Sequence, residues 1–126
     1  MPDGRPTVYT ARIGYQSADA LDVSRKSGNE LGITFAPSWS ILGPMLELRR
    51  ARPIDDTDWT AYVEAYTAEM RQSYRASGDR WNLVLLCPEV TVLCYCTDPA
   101  RCHRTVLARD ILPRLGCVYG GERGHG

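Results

Sequence analysis

The chain has 126 residues, with 15 basic and 15 acidic side chains and no net formal charge. That length fits one domain with a real core, and the neutral balance speaks against a strongly basic nucleic-acid binder. With 44% apolar and 24% charged residues the composition is that of an ordinary globular protein.

The chain holds no run of about 18 apolar residues, so no membrane span is expected. Its start, MPDGRPTVYTAR, has no apolar core of a secretory signal, so the expected compartment is the cytoplasm.

Thr7 to Ile13 is rich in β-formers, ends at Gly14 and reads as a first strand. Ala20 to Ser24 is a second, weaker strand with Asp22 inside it, and the segment after it reads as a turn. A helix opens at Pro37-Ser38, with Trp39, Leu42, Leu46 and Arg49 at helical intervals. The clearest helix runs from Asp58 to Ala76. Asp55, Asp56 and Thr57 stand at its start, and Trp59, Tyr62, Val63, Tyr66 and Met70 form one stripe that reads as core. Residues 81–87 fit a short helix or a strand equally well.

Val90 to Cys96 is the strongest strand signal. Asp98 and Pro99 then start a helix expected to reach Ile111, and Cys117 to Tyr119 reads as a last short strand. The glycine-rich end makes residues 117–126 a partly flexible tail, in which His125 carries no expected role. Strands alternating with helices predict a single compact α/β domain over residues 1–126, with a mostly parallel sheet flanked by helices.

The chemistry concentrates in CYCTDPARCHR, residues 94–104. Three of the chain's five cysteines fall there, followed directly by His103 and Arg104. Without a secretory signal, such bunching points to metal or catalytic use before disulfides. On a strand Cys94 and Cys96 share one face. The next helix would put its N-terminus at the carboxyl end of that strand, where open α/β sheets place ligands and where a thiolate or another anion is favoured.

Three readings stay open. The first is a thiolate and anion site: Cys94 as nucleophile or ligand, His103 as acid/base, Arg104 and Arg101 as anion holders, Cys102 nearby. The second is a zinc or iron site from Cys94, Cys96 and Cys102; Cys102 and His103 diverge on a helix, so three ligands fit better than four. The third is structural, with small buried thiols packing as apolar groups.

LCYCTDPARCHRTVLA resembles the signature of a family of small bacterial proteins, domain of unknown function 488. Leu93 and Cys94 match its strand end, Asp98 and Pro99 its turn, and Cys102, His103 and Arg104 its Cys-His-Arg triplet. Ile13-Gly14-Tyr15 and Leu21-Asp22-Val23 resemble its early motifs. Arg25 follows one residue later than the family's arginine, and Cys96 stands where the family usually has glutamate. The resemblance implies an α/β fold and a site built from the Asp22–Arg25 region, the Cys94 strand end and the Cys-His-Arg helix. Cys96 adds a second soft ligand beside Cys94.

Taken together, the expectation is an enzyme, a thiol- or metal-dependent hydrolase or transferase. Its substrate is a small anion, with a nucleotide or nucleic-acid component among the candidates. Asp22, Arg25 and Tyr15 are the further binding residues. A non-catalytic metal-binding or interaction module is the alternative. So is a nucleic-acid accessory protein using the basic run Arg49, Arg50 and Arg52, although such a run more often forms a solvated face.

Overall fold

The computed structural model describes residues 5–124. Among them four strands, β1 (Thr7–Arg12), β2 (Ala20–Asp22), β3 (Glu89–Cys94) and β4 (Val118–Arg123), form one sheet. The order is β2-β3-β1-β4, and every pairing is parallel. This is the α/β architecture expected from the alternation of strands and helices.

Parallel strands need crossovers; helices supply those from β2 to β3 and from β3 to β4, while a short loop links β1 to β2. Between β2 and β3 lie α1 (Glu30–Ile33), α2 (Trp39–Ala51), α3 (Asp56–Ala76) and α4 (Gly78–Leu85). Both helical crossovers, β2 to β3 and β3 to β4, run in the same direction across the sheet. Right-handed connections therefore put both sets of helices on one face. The core lies between that face and the helices: Val8, Leu21, Val90 and Val92 from the strands meet Tyr66, Met70, Trp81, Val84, Leu107 and Leu112. On the alternate positions the sheet carries a polar network, in which Arg123 lies over the Tyr9 ring and pairs with Asp19.

Several boundaries differ from the sequence reading. Helix α3 starts at Asp56, because Asp55 caps it and forms a reciprocal capping box with Asp58. Residues 81–85 are helical, with Trp81 and Val84 buried on one side of α4. Strand β3 stops at Cys94, so Cys96 lies beyond the strand rather than on its pleat.

The expected helix from Pro99 to Ile111 is broken. Asp98 caps Ala100 and supports only a 3-10 turn, Pro99–Arg101, after which Cys102 is extended at φ −138° and ψ 142°. The chain then winds through α5 (His103–Thr105), a π turn (Val106–Ile111) and a 3-10 turn (Leu112–Leu115). Strand β4 reaches Arg123 instead of ending at Tyr119, pairing with β1 through an irregularity at Val8/Tyr9. Gly120 belongs in this strand because any side chain there would run into the Tyr9 ring. His125 lies outside the described residues. No helix among the described residues is long and apolar enough to cross a membrane.

Candidate functional site

A pocket of about 360 Å³ opens beyond the carboxyl end of β3, where parallel sheets present their loops. Cys94, Cys96, Cys102 and His103 line it, facing an apolar wall from α2 that includes Leu42 and Met45. Arg25, Lys26, Arg49 and Arg101 also line it, and none of its described lining residues is acidic.

Three elements bring the sulfurs together. Cys94 ends β3, Cys96 follows the bend after it, and Cys102 is the extended residue before α5. The three Sγ atoms lie within 4.8 Å of one another. Those of Cys94 and Cys102 touch as a disulfide pair, with α-carbons 7.7 Å apart. That span is wider than the ~4.4–6.8 Å that disulfides usually bridge. Cys94 and Cys102 are buried, while Cys96 is partly exposed.

Arg104 is fully buried beneath this cluster. Its Nη1 donates to the sulfurs of Cys94 at 3.2 Å and Cys102 at 3.3 Å, and to the carbonyl of Cys96 at 2.9 Å. Its Nε and Nη2 form a fork on Glu122, at 3.2 and 2.8 Å. A bidentate carboxylate fixes a guanidinium more firmly than a single contact does. Arg104 is thus anchored by β4 and directed at the sulfurs of Cys94 and Cys102, rather than opening into the pocket as the sequence reading expected of an anion holder.

His103 is buried, its Nε2 is 2.8 Å from the Val23 carbonyl, and its ring packs edge-on against Tyr66. Carbonyl oxygens only accept, so Nε2 carries the proton and Nδ1 the lone pair; the tautomer follows from this contact. Burial is the main cause that lowers the imidazole pKa to about 4, with the Arg104 charge acting in the same direction. The ring is therefore neutral at physiological pH.

Arg25 lines the pocket while its guanidinium holds the carbonyls of Pro37 and Ala36. Arg101 also lines it, but its guanidinium turns to the N-terminus of α3, donating to the Asp55 carbonyl and pairing with Asp56. Asp22 is engaged by Ser24 and Ser27 and shapes the loop after β2. Gly32 of α1 supports that loop: a side chain there would collide with the Asp22 carbonyl. Tyr15 stands apart from the pocket, accepting from Arg123 at 3.3 Å.

The sequence reading missed the place of Arg49 at the site and Glu122 as the partner of Arg104. Arg49 does not share one face with its neighbours: its Nη1 is 3.7 Å from the Cys96 sulfur and its Nη2 donates to the Arg101 carbonyl at 2.7 Å. Its Nε is buried with no hydrogen-bond partner among the described residues. Arg52 instead pairs with Asp58, and Arg50 is exposed. The signal for Arg49 was its place on the Leu42 stripe of α2. Glu122 had no local signal, since it sits in a glycine-rich stretch that reads as tail.

The sequence model of the active DUF488-N3 subclade matches residues 8–115. No curated protein and no solved structure matches the chain. The match spans most of the sequence, from β1 through the last helical turn, and takes in every cysteine and arginine of the pocket: the chain belongs to the DUF488 family.

Proposed function

We propose that this protein is an enzyme acting on a small anionic substrate, of nucleotide size, bound in the cysteine pocket. One observation carries the reading. Three sulfurs, with the buried Arg104 guanidinium beneath them, line a pocket whose charged lining is wholly basic. A guanidinium in contact with a thiol favours its thiolate, and arginines around an apolar wall suit an anionic group attached to a larger apolar or planar body. The name of the matching subclade, which calls it active, agrees with an enzymatic role.

With the Cys94–Cys102 pair reduced, Cys94 supplies the central sulfur, as nucleophile or as thiolate ligand. The neutral His103 takes up a proton through Nδ1. Arg49, with its buried Nε lacking a partner, and Arg25 hold the anion. Arg104, its charge matched by Glu122, positions the sulfurs as an N–H donor. The reaction class is a thiol- or metal-dependent hydrolysis or group transfer.

The test is a thermal-shift screen of nucleoside monophosphates, inorganic phosphate and small carboxylates, followed by turnover assays on the compounds that bind. Nucleotide-sized anions should stabilise the wild type, and Arg49→Ala clearly less. Turnover should collapse in Cys94→Ala and His103→Ala. Undiminished turnover in both variants sinks the assignment.

A further inference from the structure

We infer that Cys94, Cys96 and Cys102 together hold one zinc ion, with its fourth position facing the pocket. The inference rests on the reading of this pocket as the working site and says what the sulfurs do there. Thiolates on a zinc with Zn–S near 2.3 Å stand about 3.8 Å apart. The three sulfurs here already lie within 4.8 Å of one another. The wide separation of the Cys94 and Cys102 α-carbons, 7.7 Å, suits two ligands reaching one ion from different elements better than a direct covalent bridge.

The ligand set is all sulfur, which selects zinc over magnesium or calcium. His103 does not complete it: only the sulfurs of Cys94, Cys96 and Cys102 gather within 4.8 Å of one another, and neither ring nitrogen of His103 joins that group. Three protein ligands leave one tetrahedral position for a water or a substrate oxygen, the arrangement of catalytic rather than closed structural zinc sites.

Charge balance points the same way. Three thiolates and one zinc leave a single net negative charge. Arg104 is already matched by Glu122 and serves as an N–H donor to two of the sulfurs, the kind of outer contact that tunes a metal site. Arg49, with Nη1 3.7 Å from the Cys96 sulfur, supplies the remaining positive charge. Metal binding displaces three thiol protons and changes no oxidation state. It requires Cys94 and Cys102 as thiols, which a reducing compartment maintains.

The test uses full-length protein purified with a thiol reductant and without chelator, then analysed for metal. About one zinc per chain is expected. The content should fall about tenfold or more in Cys96→Ser, which alters the partly exposed ligand, and stay unchanged in Cys87→Ser, outside the cluster. Cobalt exchange should produce the thiolate-to-metal absorption of a tetrahedral site. If Cys96→Ser misfolds by circular dichroism, chelator treatment of the wild type takes its place: zinc should leave and the melting temperature drop.

Metal-free wild type, with all five thiols titrating or with Cys94 and Cys102 recovered as a disulfide, overturns the zinc site. Calorimetry with a nucleoside monophosphate on the same sample separates the two claims. Binding without metal removes the zinc and keeps the functional reading. Metal without binding of any screened anion keeps the zinc and removes the functional reading.

Discussion

Two of the concavities that helix α3 walls are nearly equal in size and differ in chemistry. On one side Tyr62 faces the cysteine pocket, about 360 Å³. On the other, Val63, Thr67 and Met70 line a groove of about 350 Å³ against Trp81, Val106 and Leu115. The groove is apolar with arginines and one aspartate at its rim, and it contains no cysteine or histidine. The pocket gathers soft, titratable and hydrogen-bonded groups from β3, α2 and α5. A cavity of useful size is common between packed helices; what marks a site is the convergence of groups whose protonation or ligation the fold controls.

The contrast breaks if the pocket residues prove to be ordinary packing. Arg104→Ala should cost the most, roughly 3 kcal/mol by urea denaturation. That is the low end for a buried ion pair, since Glu122 is 29% exposed. Arg104→Lys should not restore it, because a lysine point charge cannot fork onto Glu122 and still reach the sulfurs. A change below about 0.5 kcal/mol would class Arg104 with surface residues.

Next in size is a pH effect. Burial holds the folded pKa of His103 near 4, below the 6.5 of a free imidazole. Between those values the unfolded chain binds the extra proton, so stability rises with pH across that window. It is fully present above about pH 6.5 and lost as pH falls to about 4, a span worth roughly 3 kcal/mol. Denaturation midpoints from pH 4 to 7 should show this slope, and His103→Leu should flatten it. A slope that survives in the variant belongs to other groups.

Smaller effects sharpen the comparison. Arg49→Ala should weaken nucleotide binding about tenfold while leaving the fold intact, read by calorimetry and circular dichroism. Arg75→Ala, on the rim of the groove, should change neither anion binding nor stability beyond about 0.5 kcal/mol. If Arg75 matters as much as Arg49, the two concavities are not chemically distinct.

Much of the fold was legible because it rests on local rules. β1 and β3 are β-branched runs bounded by turn residues, and α3 announces itself by its aspartate caps and aromatic stripe. What escaped depends on long-range contact. The helix expected from Pro99 breaks at Cys102, whose extended backbone places its sulfur against Cys94; no propensity of cysteine signals that. The start of β4 is legible as a short strand ending at Tyr119, but its continuation to Arg123 is not, because Gly120 reads as tail and its reason for being there is Tyr9, far away in sequence. For the candidate site, the cluster itself was visible as a motif. Arg49 and Glu122 were not, because a charge run and a glycine-rich stretch carry no sign of what lies opposite them in space.

The fork between Arg104 and Glu122 also sets an order of events. Cys94, Cys96, Cys102 and Arg104 leave the ribosome before Glu122 does, and Glu122 comes into place only when β4 pairs with β1, joining Val118 to Thr7. That pairing spans nearly the whole chain, the slow kind of contact in folding. The support beneath the pocket is therefore completed by β4, the latest of these four strands to be synthesised, and nascent chains carry the cysteine motif before they carry the carboxylate that holds its arginine in place.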